Sequence, residues 1–198
     1  MNKCARKGQV LFCGSSLMEQ FPITELQLSD QFPLRLYNRG VGGFTAKEFL
    51  EALDVCVLNL EPKYLFINIG TNDMNAEDYC ASKLMQIYDR ILLQIKNCLP
   101  DTKICLFAYY PVNEIIGLRD PIMGPIFQHR TNKRISEANQ MLETLSQKHH
   151  AVLMNLNMCI ADASGQLKAE YTTDGMHLTA EGYLQIWDRM AQYIRGLK

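Results

Sequence analysis

Four short polar or glycine-rich segments stand where apolar runs end: Gly-Ser-Ser-Leu at 14–17, Gly-Gly at 42–43, Gly-Thr-Asn-Asp at 70–73 and Asp-Gly-Met-His at 174–177. Together they hold a serine (Ser16), two kinds of oxyanion donor (a glycine N–H and the Asn72 amide) and an acid–histidine pair, Asp174 and His177. Acyl transfer through a serine needs these parts. A neutral hydroxyl is a weak nucleophile until a base takes its proton, and the tetrahedral intermediate carries a negative oxygen that must be held.

Each segment alone has a plainer explanation. Gly-Ser-Ser is ordinary turn or N-cap chemistry, and Ser15 competes with Ser16 for the nucleophile's place. Gly42 and Gly43 suit a turn needing positive φ, although an absent side chain also lets a substrate oxygen approach a backbone N–H. Asn72 fits an Asx-turn as well as a donor, and Asp73 reads as a structural acceptor. Asp174, three residues before His177 in a glycine-containing loop, can accept from one ring nitrogen and leave the other facing Ser16. The remaining histidines have weaker cases: His149 and His150 end a polar helix, where they serve the dipole or solvent, and His129 has no partner in local sequence. The order and placement of all four segments favour chemistry over coincidence.

Those placements require a frame. Short, nearly continuous apolar runs at 10–14, 34–38, 64–69, 103–109 and 151–156 alternate with stretches of helical period, which predicts β-α repeats and a parallel sheet covered on both faces. Helices are predicted over 18–29, 46–60, 79–99, 127–149 and 179–194, with Pro62 and Pro100 as stops and Thr179 as an N-cap. The stretch 110–126, with three prolines and two glycines, is predicted to be a long loop, with Tyr110, Arg119 and Met123 available to shape a pocket. In such sheets ligands bind beyond the carboxyl ends of the strands, where all four segments fall.

Composition narrows the function classes. The chain of 198 residues carries 20 basic and 21 acidic side chains, net charge -1, with no block of either sign; a nucleic-acid partner is therefore not expected. One domain over 1–198 is expected. Lys3, Arg6 and Lys7 precede an apolar run of only 10–13, so the chain is read as unprocessed and cytoplasmic. Seven cysteines, an odd number without a CxxC pair, read as free thiols of a reducing compartment, not as a disulfide framework or zinc site. Neither a metal nor a cofactor is expected, and no apolar run is long enough to span a bilayer. Oligomeric state is not legible.

From Val10 to the last helix the chain resembles the SGNH hydrolases, the GDSL-type lipases and acylhydrolases, whose four blocks occur in this order. The resemblance implies a flavodoxin-like three-layer α/β/α sandwich with a five-stranded parallel sheet. It also implies Ser16, Asp174 and His177 as the catalytic set, with Ser16, Gly43 and Asn72 forming the oxyanion hole. Gly43 is preferred over Gly42 because the second block reads Asn-x-Gly-x-x-Gly, matched by Asn38, Gly40 and Gly43. Ser15 departs from the pattern, standing where the first block has Asp. The implied activity is a serine esterase, and a compact chain without an obvious lid domain points to a small acyl group, acetyl or short-chain, on a polar alcohol such as a sugar. Thioester and lysophospholipid hydrolysis use the same chemistry, and a flavodoxin-like or acyl-sugar binding module is the non-hydrolytic alternative.

Overall fold

The computed structural model describes residues 2–32 and 34–197. Five strands, β1 (Val10–Gly14), β2 (Leu36–Gly40), β3 (Tyr64–Asn68), β4 (Lys103–Phe107) and β5 (Val152–Met154), form one sheet in the order β2-β1-β3-β4-β5. Every neighbouring pair is parallel, with Gly14 opposite both Gly40 and Asn68. The helices, in chain order, are α1 (Ser16–Glu19), α2 (Ile23–Asp30), α3 (Ala46–Glu51), α4 (Leu53–Cys56), α5 (Ala81–Cys98), α6 (Glu114–Arg119), α7 (Gly124–Phe127), α8 (Asn132–Lys148), α9 (Asn157–Ile160) and α10 (Ala180–Arg195).

β1 and β3 are buried at every position, as apolar runs covered on both faces must be. Alternate residues feed two cores. Leu11, Cys13, Leu65 and Ile67 pack with buried residues of α3, α4, α5 and α8. Val10, Phe12, Phe66 and Phe107 pack with those of α1 and α10. On this second face Phe12 stacks on Phe66 with ring centroids 4.7 Å apart, and Phe66 on Phe107 at 5.9 Å. The product is a flavodoxin-like three-layer α/β/α sandwich. The chain runs from β1 out to the edge strand β2 and returns to β3 on the other side, so the loops after β1 and β3 diverge at a topological switch point.

Several predicted boundaries move. The second strand lies at Leu36–Gly40, not 34–38. Its half-exposed Tyr37, Asn38, Arg39 and Gly40 carry little apolar signal, and pairing with β1 sets the register. The helix expected over 18–29 is two, α1 and α2, because Pro22 disfavours helical geometry at Phe21. The helix expected over 46–60 breaks at Ala52 and Val57 into α3, α4 and a 3₁₀ turn at Leu58–Leu60. Phe49, Leu53, Val57 and Leu60 nevertheless all remain buried, so periodicity reported the buried face and not the continuity. The segment 110–126 is not a structureless loop but holds α6 and the start of α7, and α8 begins only at Asn132, capped by the Thr131 side chain. Thr179 caps α10 through the Gly182 N–H.

His149 also departs from expectation. It is buried, and its Nε2 lies 2.5 Å from Asp89 Oδ1, tying the end of α8 to α5. Packing between helices, not the dipole of its own helix, fixes it.

Candidate active site

β1 ends at Gly14, whose φ is +156° and where a Cβ would stand 2.0 Å from the Asn68 carbonyl oxygen. That close approach lets the Ser15 N–H donate to the same oxygen at 3.2 Å, and the chain turns from strand into α1 at Ser15, the extended N-cap of that helix. The turn separates the two serines. Ser15 is fully buried with Oγ 3.4 Å from Thr71 Oγ1, whereas Ser16 opens α1 with its Oγ 2.9 Å from His177 Nε2.

His177 is held from its far side. The Asp174 carboxylate spans the loop: Oδ1 accepts the backbone N–H of Met176 at 2.9 Å and of His177 at 2.8 Å, and Oδ2 lies 2.5 Å from His177 Nδ1. Gly175 makes this compact turn possible. Its φ is +91°, and a Cβ there would meet the Asn113 carbonyl oxygen at 2.7 Å. Burial alone would raise the Asp174 carboxyl, but hydrogen bonds from the His177 ring and from the His177 and Met176 N–H groups outweigh it. They hold the group well below the usual carboxylate range. An ionised acceptor at Nδ1 fixes the proton there and leaves Nε2 free to accept from the serine hydroxyl, the arrangement that makes a neutral hydroxyl nucleophilic.

The loops after β2 and β3 meet the same space. Gly40 packs directly on α1: a Cβ there would lie 2.2 Å from the Glu19 nitrogen. Asn38 secures that contact, accepting the Gly40 N–H at 2.8 Å and donating to the Met18 carbonyl at 2.6 Å. Gly43 has a φ of +80°, and a Cβ there would meet nothing within 4 Å, so its backbone faces open space. Asn72 donates from Nδ2 to the Phe44 carbonyl at 2.9 Å. Asp73 accepts the Ala46 N–H at 2.9 Å, a structural bond that joins the two turns.

Ser16, Gly43, Asn72 and His177 line one cleft of about 530 Å³, with Met123 and Ile126 as an apolar wall. Of the residues expected to shape the pocket, Met123 does so. Tyr110 is buried in the core near Phe107 and does not line the cleft, and Arg119 is exposed and away from it. Sequence gave no reason to single out Arg130. Only 4% exposed, it donates from Nη2 to Asn72 Oδ1 at 2.8 Å, from Nε to Asn75 Oδ1 at 2.8 Å and from Nη1 to Met176 Sδ at 3.0 Å. Burial brings its guanidinium down to about 10, against the raising influence of Asp174 and Asp73, so it stays charged at neutral pH. In sequence it is one of three cations at 130–134 beside a helix start, where a solvated face is the ordinary outcome.

Among the described residues no group of three His, Cys, Asp or Glu is placed to hold a metal ion. Residues 14–184 match the GDSL-like lipase/acylhydrolase family. The chain belongs to this family. It is accordingly an ester-hydrolysing enzyme. Among curated relatives it is 26% identical over 197 residues to platelet-activating factor acetylhydrolase IB subunit alpha2 of Rattus norvegicus, a match spanning 97% of this chain and 78% of that protein. It is 23% identical over 190 residues to the N-acylneuraminate cytidylyltransferase of Escherichia coli O18:K1:H7, spanning 95% of this chain but only 41% of that protein. A structure from Streptococcus pneumonia described as that of a platelet activating factor superposes with a TM-score of 0.84 at 29% identity, covering 96% of this chain and 86% of that one. A GDSL-like lipase from Bacteroides thetaiotaomicron VPI-5482 shares the fold at a TM-score of 0.77 and 23% identity, covering 94% and 87%. No helix among the described residues is long and apolar enough to cross a membrane.

Proposed function

We propose that this GDSL-family acylhydrolase cleaves small acyl esters, acetyl or short-chain, through an acyl-enzyme on Ser16. The hydrogen-bonded line from Ser16 Oγ through His177 to Asp174 carries this reading. His177 takes the serine proton as Oγ attacks the ester carbonyl, and Asp174 stabilises the imidazolium that results. The N–H groups of Ser16 and Gly43 and the Asn72 amide receive the oxyanion. His177 then protonates the leaving alcohol, and water deacylates the enzyme with His177 again as base.

Two features support a short acyl group. The apolar wall of the cleft is confined to a few side chains, Met123, Ile126 and Met176, and a curated relative spanning 97% of this chain is by name an acetylhydrolase. The chain is proposed to form a single domain acting in the cytoplasm, a placement that seven free cysteines support. The test is turnover of p-nitrophenyl acetate, butyrate and octanoate by wild type beside Ser16→Ala, with circular dichroism on both. Turnover that falls from acetate to octanoate and is lost in the variant is the expected result. Equal rates in both proteins would overturn the serine mechanism, and a preference for octanoate would overturn the short-chain assignment.

A further inference from the structure

An amide is useful to an oxyanion only if its NH₂ end faces the site, and the two ends of Asn72 are nearly the same shape. Arg130 removes the ambiguity. Its Nη2 donates to Asn72 Oδ1 at 2.8 Å; rotating the amide by half a turn would set donor against donor. In the observed pose one N–H of Nδ2 is spent on the Phe44 carbonyl, and the second has no acceptor among the described residues while Asn72 lines the cleft beside Ser16.

The setting of Arg130 is costly for a merely structural side chain. A buried guanidinium normally needs a carboxylate partner, yet among the described residues Arg130 makes no ion pair; its acceptors are two neutral amide oxygens and a thioether sulfur. A cation kept in low dielectric behind a hydrogen-bond donor polarises that donor toward the negative charge that develops on the substrate oxygen, while Asp174 and Asp73 act on the guanidinium without a direct ion pair. Its third arm reaches Met176, between Asp174 and His177 in sequence. One rigid group thus spans the loop that carries the oxyanion amide and the loop that carries the acid and base.

We propose that Arg130 is a positioning residue of the oxyanion hole, fixing and polarising the Asn72 amide so that its free N–H meets the tetrahedral intermediate. This rests on the assignment of Ser16 and Asn72 above. Lysine cannot reproduce the planar three-way fork, so Arg130→Lys keeps a cation but loses the geometry.

A double-mutant cycle with Asn72→Ala tests this, read as kcat and KM on p-nitrophenyl acetate and as the rate of fluorophosphonate labelling. Arg130→Gln and Arg130→Lys should each lower kcat by roughly 10- to 100-fold, the size of one hydrogen bond to a charged group, with KM little changed. In the Asn72→Ala background the same changes should cost less than about threefold, because the group they act through is gone. Equal losses in both backgrounds, unchanged kcat, or a loss seen only in KM would overturn the role. If Arg130→Gln fails to fold, as shown by circular dichroism, the Lys variant carries the cycle. Turnover retained by Ser16→Ala, or unaffected by Asn72→Ala, would instead overturn the underlying assignment. An additive cycle with both of those losses intact would remove Arg130 alone.

Discussion

His177 Nε2 stands 2.9 Å from Ser16 Oγ across 161 residues of chain. No local sequence signal sets that distance. It exists because β1 delivers Ser16 to the carboxyl edge of the sheet, while Thr179, capping α10 two residues after His177, anchors the loop that faces it.

Ser16→Ala should abolish covalent labelling by a fluorophosphonate and leave the far-ultraviolet circular dichroism unchanged, since Ser16 is only half-buried and the α1 turn is held by the Met18 and Glu19 N–H groups donating to the Ser15 carbonyl. Labelling that persists would place the nucleophile on another residue.

Asn72→Ala should reduce kcat by about 10²–10³, the usual effect of removing one oxyanion donor. The comparison is steady-state kinetics on p-nitrophenyl acetate; a kcat equal to wild type would take Asn72 out of the hole.

Asp174→Asn should lower kcat on the order of 10⁴-fold, because an amide facing Nδ1 no longer dictates the proton's position. It also makes a pH prediction. The Asp174 carboxyl is depressed in the folded protein relative to an unfolded value of about 3.9. Its contribution to stability is therefore present above that value and lost as pH falls through and below it. Thermal melts should show wild type well above the variant at pH ~7, with the gap closing below pH ~4. A gap that stays constant down to pH ~3 would show that the Asp174 carboxyl is not held below its unfolded value.

Gly40→Ala should destabilise the fold by about 1–3 kcal/mol, the range for forcing atoms into a packed interface, because its Cβ would lie 2.2 Å from the Glu19 nitrogen and 2.6 Å from the Met18 carbonyl carbon. The obstructing atoms all belong to the α1 backbone, which cannot rotate away as a side chain could. Activity should fall as well, since the displaced helix begins at Ser16. Urea denaturation gives the first quantity and turnover the second; a midpoint equal to wild type would show that α1 shifts freely.

The legibility of this chain differed from element to element. β1, β3 and β4 were plain because strands buried on both faces are nearly continuous in apolar residues, and their predicted starts at 10, 64 and 103 coincide with the observed ones. β2 was two residues out because an edge strand is recognised by its partner's hydrogen bonds, not by its own side chains. The breaks within 46–60 were not legible because a kinked helix and a straight one can bury the same face, and the short helix inside 110–126 was hidden by prolines and glycines that also read as a loop. Tyr110 looked available for a pocket, yet the sheet turned it into the core.

The residue types and spacing alone determined the class of fold and the parts list proposed for serine chemistry: alternating apolar runs and helical periods, with Ser16, Gly43 and Asn72 a few residues past an apolar run and Asp174 and His177 in the segment that follows the last one. Tertiary structure decided which of two adjacent serines faces His177, that His149 is buried against Asp89, and that Arg130 backs Asn72. The reason is physical. Burial and period are recorded locally, one turn or one strand at a time. The direction of a side chain and the identity of its distant partner depend on how loops 58 to 161 residues apart close on one another.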